Sequence, residues 1–346
     1  MNTQLDLEKR VPVCGIATLL AILAVSEAFA SHPSPTELLS TDRILLREAS
    51  RLAEEIQNEV WPGWDQAPFS ILLVTEETEF LVGVQEMPDG FVDVGKDDKL
   101  GAVYSRPRVY QPVLLATFPA VAPPEPTIVI GRPELTDKSP TAWLSTLMHE
   151  HFHQLQMSDP DYYPQAAALD LEGGDDSGQW MLDYQFPYDD PLIGGRFSAL
   201  GAMLRSLIVA SETPSASAAG TFWQTYREFA GALEAPDARY LAFQLWQEGV
   251  CRYVEYRTAA IAADRFEPSA ELRALPGYQP FAEVAAELRR GIVDTLSEIV
   301  LAEHRRVAFY PLGAAMALLL DDTTPGWKDR YLTEKFFLDR YIAPAE

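Results

Sequence analysis

The sequence predicts an α+β fold, an N-terminal mixed β-sheet lobe followed by a mostly helical C-terminal lobe. Two observations carry this: short β-prone runs separated by Gly, Pro and Asp turns crowd residues 69–131, and helical periodicity takes over beyond residue 139. The first element is a helix over Thr41–Val60, where Ile44, Leu45, Ala49, Leu52, Ala53, Ile56 and Val60 recur at helical spacing and "WPGW" stops the run. Strands are expected at 69–74, 79–83, 101–105, 113–118 and 127–131 ("TIVIG"). "PAVAPPEP" at 119–126 is too proline-rich for regular structure and reads as a loop. Helices are expected at 140–157, 196–211, 219–234, 237–262, 281–308, 311–320 and 327–341, with a long irregular stretch at 158–195. The division is a sheet lobe over 31–160 that includes the 140–157 helix, then a helical lobe over 161–346, forming one catalytic domain.

The chain has 346 residues, 47% of them apolar, which is ample for a large core and excludes general disorder. Its formal charge of −24, from 51 acidic and 27 basic side chains, excludes a phosphate-binding track, so no nucleic-acid partner is expected. The first thirty residues differ from the rest. Lys9 and Arg10 lead into an apolar run, Val11–Val25, followed by Ala28-Phe29-Ala30, the pattern of a cleavable secretory signal. That run is short against the roughly 20 residues of a spanning helix, so the expectation is an exported chain, periplasmic or secreted, with no membrane span after cleavage near Ala30. An uncleaved anchor is the alternative. Cys14 leaves with the signal and Cys251 remains alone, so no internal disulfide forms.

Residues 147–156, "LMHEHFHQLQ", hold three of the five histidines. Ser139 is a suitable N-cap and Pro140 suits the first helical position, which places the histidines on a helix. At about 100° per residue, His149 and His153 project together, while His151 points away and reads as a surface or packing residue. The pair frames Glu150 as His-Glu-x-x-His. Two imidazoles on one face supply two zinc ligands, and the adjacent carboxylate is placed to take a proton from water. A third ligand must come from elsewhere. In "YLAFQLWQEGVCRYVEYR" (240–257), Glu248, Arg252 and Glu255 share a helix face. Gly249, in mid-helix where glycine costs about 1 kcal/mol, implies close approach of another backbone; if that is the histidine helix, Glu248 reaches the metal.

"HEHFH" with "WQEGVCRYVE" resembles the gluzincin group of zinc metallopeptidases, with the thermolysin-like and aminopeptidase-like enzymes as reference cases. The resemblance covers about two dozen residues. It implies a zincin-like fold with His149, His153 and Glu248 as Zn2+ ligands and Glu150 as general base. It also implies a sheet whose edge strand, "TIVIG", lies above the histidine helix and holds an extended peptide. Two features depart from the pattern: 95 positions separate His153 from Glu248, and Arg252 stands where an acidic residue is common.

Other residues are open to two readings each. Tyr310 is the first choice of donor to a developing oxyanion, against a core or rim tyrosine. Glu255 either accepts a hydrogen bond from a ligand histidine or is solvated or Arg-paired. Cys251 is a small buried residue or an additional ligand. The acidic stretch Asp170, Glu172, Asp175 and Asp176 is a loop rim or a calcium site. Phe222, Trp223, Tyr226, Phe229, Tyr240, Phe243 and Trp246 read as a helix–helix core. The expected function is an exported zinc peptidase acting on a peptide or protein substrate. The rivals are a zinc hydrolase of non-peptide amides or esters, and a non-catalytic metal-containing binding module.

Overall fold

The computed structural model describes residues 37–174, 178–210 and 213–342. The first thirty residues, read above as a secretory signal and including Cys14 and Ala30, lie outside the described residues, as do His32, Asp175 and Asp176. The fold is α+β. Helix α1, Ser40–Val60, buries Leu45, Ala49, Leu52, Ala53, Ile56 and Val60, the stripe its spacing predicts. Among the described residues six strands follow: β1 Ile71–Val74, β2 Thr78–Val82, β3 Val92–Asp97, β4 Gly101–Pro107, β5 Leu115–Ala122 and β6 Glu125–Gly131. They form one sheet in the order β3-β4-β2-β1-β6-β5. All neighbours are antiparallel except β1 and β6, which run parallel.

Strand alternation sorts the sheet's two faces. Ile71 and Leu73, with Ile128 and Ile130, join the main core under the helices. Leu72 and Val74, with Leu81, Tyr104 and Val129, form a second, smaller apolar cluster on the other side. β3 was not expected: "VDVGKD" is largely exposed and carries a register shift between Asp93 and Gly95, so it lacks the apolar run that marks a strand. The proline-rich stretch 119–126 is also not a loop. β5 and β6 pair across it, and Pro119 and Pro126 fall in the irregular part of the ladder between Phe118 and Ala122, where a missing N–H breaks no regular bond. "TIVIG" is an interior strand, because β6 is paired on both sides; β5 is the edge.

Helix α2, Pro140–Ser158, packs against β5 and β6 on one side and α8 on another. The remaining helices are α3 Tyr162–Ala167, α4 Trp180–Asp183, α5 Pro191–Ile208, α6 Ala216–Ala230, α7 Ala235–Gln244, α8 Val250–Arg265, α9 Ala270–Arg273, α10 Phe281–Glu298, α11 Leu301–His304, α12 Phe309–Thr323 and α13 Trp327–Arg330. Three differences from the sequence reading matter. The 158–195 stretch contains α3 and α4, and α5 starts at Pro191 with Asp190 accepting from the Leu192 and Ile193 amides. The expected 281–308 helix breaks at Ile299 and Val300, two β-branched residues in extended conformation. The expected 237–262 helix is interrupted by a π-helical turn over Leu245–Gly249 between α7 and α8. One apolar core runs through both halves of the chain, and the aromatic set from Phe222 to Trp246 lies within it, as expected. Among the described residues no helix is long and apolar enough to cross a membrane.

Candidate metal centre

Helix α2 is held in one rotational setting. Ser139 caps it by accepting from the Ala142 amide, and Pro140 fills the first turn. Every residue from Trp143 to Gln156 is buried. Trp143 Nε1 donates to the Gly131 carbonyl at 2.7 Å, and Gln154 Nε2 donates to the carbonyls of Ser70 and Pro126, each at 3.0 Å. These bonds tie the helix to β6 and to the entry of β1. They leave His149 and His153 facing α8, with ring centroids 5.0 Å apart, and turn His151 to the opposite side.

His151 is a packing residue and not a surface one. It is 1% exposed, stacked on Trp64 at 5.0 Å and edge-on to Phe69. Its Nδ1 lies 2.9 Å from Gln154 Oε1 and its Nε2 2.9 Å from Gln57 Oε1. Burial holds its pKa down at about 4, against a weaker opposing hydrogen bond to the Gln154 side-chain oxygen, so the ring is neutral.

Glu248 comes from the π turn. A wide turn of this kind is rare in helices and is favoured at functional sites because it shifts the phase of the residues around it. Here Gln247, Glu248, Cys251 and Glu255 all reach the α2 histidines. The depth is set by glycine: a Cβ on Gly249 would lie 2.5 Å from Gly313 Cα of α12, and one on Gly313 would lie 2.5 Å from the Leu245 carbonyl oxygen. Close approach at Gly249 is therefore real, but the partner is α12 and not the histidine helix.

Glu248 Oε2 lies 3.8 Å from His149 Nε2 and 3.7 Å from His153 Nε2. Both are too long for direct hydrogen bonds. Two donors on one tetrahedral zinc, each about 2.0–2.2 Å from it, stand roughly 3.4 Å apart, so Glu248 Oε2 lies within a few tenths of an ångström of the spacing a shared ion would set between it and each imidazole nitrogen. His149 Nδ1 is buried without a hydrogen bond, with Glu255 Oε2 3.5 Å away. Glu255 in turn accepts from Thr146 Oγ1 at 3.0 Å and pairs with Arg252. On the other ring, His153 Nδ1 lies 2.7 Å from Gln156 Oε1, 3.1 Å from Gln247 Nε2 and 3.3 Å from Cys251 Sγ.

The charges are mutually stabilising. Burial alone would lower His149, but Glu248, Glu255 and Glu150 raise it to about 9. Burial would raise Glu248, yet the two histidines and Arg306 hold it well below the usual carboxylate range. Glu255 is likewise held low, against its burial, by Arg252 and His149. The Cys251 thiol goes the other way: burial and the Glu248 and Glu150 carboxylates push it well above its ordinary value.

Glu150 is 5% exposed, and Thr117 Oγ1 of β5 lies 2.8 Å from its carbonyl and 3.0 Å from its Oε2, one hydroxyl proton serving both. Tyr310 is buried at the start of α12, where its hydroxyl accepts from Arg306. Arg306 Nη1 is 3.8 Å from Glu248 Oε1. Thr117, Gln156, Gln247 and Arg306 were not singled out in the sequence. Only Gln156, three residues after His153 on the same helix, offers a spacing signal. His304 is exposed on α11, its Nδ1 2.9 Å from the Val300 carbonyl, and takes no part.

The structure thus brings together His149, Glu150, His153, Glu248 and Glu255, with Tyr310 beside Glu248 by way of Arg306. A second donor set overlaps the first. Ligand atoms of His149, His153 and Cys251 lie within 4.8 Å of one another, a buried group that can hold a metal ion. No family model, curated protein or solved structure matches this chain.

Proposed function

We propose that this chain is a zinc-dependent peptidase with His149, His153 and Glu248 as ligands and Glu150 as general base. The observation that carries the reading is the convergence of two imidazole Nε2 atoms and one carboxylate oxygen beside a buried glutamate. Glu248 is favoured over Cys251 as third ligand because its carboxylate is already ionised, whereas the thiol is held protonated. Zinc held by His149, His153 and Glu248 would supply Lewis acidity toward water near neutral pH. Glu150 would take a proton from the attacking water and return it to the departing amine. Thr117 restrains the Glu150 carboxylate from the edge strand. Glu255 and Gln156 orient the two ligand rings from behind. Arg306 and Tyr310, on the Glu248 side, offer N–H and O–H donors to an oxyanion. The reading includes export, supported by the first thirty residues, and a peptide or protein as substrate.

The test is direct. Chelator-stripped protein should lose peptide hydrolysis and regain it with one equivalent of zinc; activity that survives stripping sinks the proposal. Small amides and esters assayed beside peptides separate the non-peptide hydrolase from the peptidase. The His149, His153 and Cys251 cluster favours a second reading, a closed ion site in a binding module. Cobalt substitution distinguishes it, because thiolate ligation produces an intense near-ultraviolet charge-transfer band that a histidine–carboxylate set lacks.

A further inference from the structure

We infer that Gln156 is a positioning residue that fixes the ring tautomer of His153, and so selects which nitrogen faces Glu248. The inference deepens the proposed ligand set and rests on it for its consequence, although the tautomer itself exists without any metal. Gln156 Nε2 lies 3.0 Å from the Gln247 carbonyl, 3.4 Å from the Trp246 carbonyl and 2.7 Å from Tyr331 Oη. Carbonyls only accept, so the amide nitrogen must occupy that side. Tyr331 donates its own proton to the Trp246 carbonyl at 2.8 Å and therefore accepts from Gln156. The Gln156 Oε1, 2.7 Å from His153 Nδ1, is then an acceptor with no alternative orientation.

A neutral imidazole carries one N–H, and facing an obligate acceptor that proton resides on Nδ1. The lone pair is left on Nε2, which lies 3.7 Å from Glu248 Oε2. Gln247 does not oppose this. Its amide also meets Tyr162 Oη at 2.9 Å, and a hydroxyl can accept as readily as donate, so Gln247 can present its oxygen to Nδ1–H. Cys251 Sγ, 3.3 Å from Nδ1, sits on the protonated side of the ring, so an ion held between Sγ and Nδ1 would require that proton to leave. The origin of the selection is the π turn, whose Trp246 and Gln247 carbonyls set the Gln156 amide. The same turn that delivers Glu248 thus also orients the histidine that meets it.

The experiment uses full-length, metal-stripped protein with 15N-labelled histidines at a pH above the His149 value of about 9, with the protonation of each ring read from its own 15N shifts. Long-range 1H–15N correlations identify the protonated nitrogen, and a His153→Gln sample assigns the ring. The expected result is Nδ1–H for His153 in the wild type. In Gln156→Leu the ring should shift toward Nε2–H and zinc affinity should fall about 10–100-fold, while Cys251→Ser stays within about two-fold of wild type. Nε2–H in the wild type, or an unchanged tautomer in Gln156→Leu, overturns the inference. If Gln156→Leu does not fold, Gln156→Glu keeps an acceptor oxygen at Nδ1 and should retain Nδ1–H; loss of it there is equally damaging. A purely structural Gln156 would lower the unfolding midpoint with no change in the ring spectrum. Correct tautomer with no zinc binding supports the inference and removes the peptidase reading; zinc bound through Nδ1 and Cys251 overturns the inference.

Discussion

His149 and His151 lie two residues apart on one helix, both are buried, and their proton affinities move in opposite directions. His149 is raised to about 9 and His151 is lowered to about 4. Burial opposes the charged form of both rings, so depth is not the difference. The difference is what each face of α2 meets. His149 faces the carboxylates of Glu248 and Glu255, whereas His151 meets two glutamine amides and the rings of Trp64 and Phe69. A 200° turn of helix separates a charged, ion-ready face from a neutral, packed one.

The strongest way to sharpen that contrast is Glu150→Gln. Peptide turnover should fall by 10²–10⁴-fold or more while one zinc remains bound by metal analysis; retained turnover would remove the catalytic role from this face. Next comes pH. His151, with its folded pKa below the unfolded 6.5, contributes stability that is complete above about 6.5 and is lost as pH falls toward 4. The loss is on the order of 3 kcal/mol. His149, raised, contributes stability that is complete below 6.5 and is lost as pH rises through about 9 in metal-free protein. Urea titrations across pH should therefore show His151→Gln flattening the limb between about 6.5 and 4 and Glu248→Gln flattening the alkaline one, with a further change in Glu248→Gln only below about 4.5, where its own depressed carboxylate titrates; an alkaline limb flattened by His151→Gln breaks the comparison.

Gly249→Ala places a methyl group against the Gly313 backbone and should cost about 1–3 kcal/mol and weaken zinc binding, while the His151 face is left intact. Ultraviolet circular-dichroism melts and a zinc competition titration read both effects. The smallest change expected is Ser139→Ala, which removes the α2 N-cap at about 1 kcal/mol with both faces shifted equally, seen as a lower unfolding midpoint with unaltered zinc affinity.

How much of this was legible depends on whether the determining contacts are local. The α2 cap, its Pro140 start and the opposition of His151 to the other two histidines follow from spacing along one helix, as does the buried stripe of α1. Glu248 was legible through its neighbour Gly249, whose cost in a helix demanded a close contact, although the partner was misassigned because a glycine says that something approaches and not what. The π turn left no mark, since one widened turn hardly disturbs a run of helical periodicity. Thr117 and Arg306 reach the site from positions 33 and 58 residues away from Glu150 and Glu248, and nothing in their own surroundings distinguishes them. β3 was missed for the reverse reason: its pairing is held by backbone bonds while its side chains are mostly in water.

The Gly249–Gly313 crossing has a mechanical consequence. Where two helices touch through backbone alone there is no side chain to repack, trim or enlarge, so the separation of α8 from α12 has a hard stop. Side-chain contacts elsewhere in the core can absorb a substitution by rotamer adjustment, but this one transmits it. The reach of Glu248 is therefore governed less by the residues around it than by a contact one position further along the chain, on the side that meets α12.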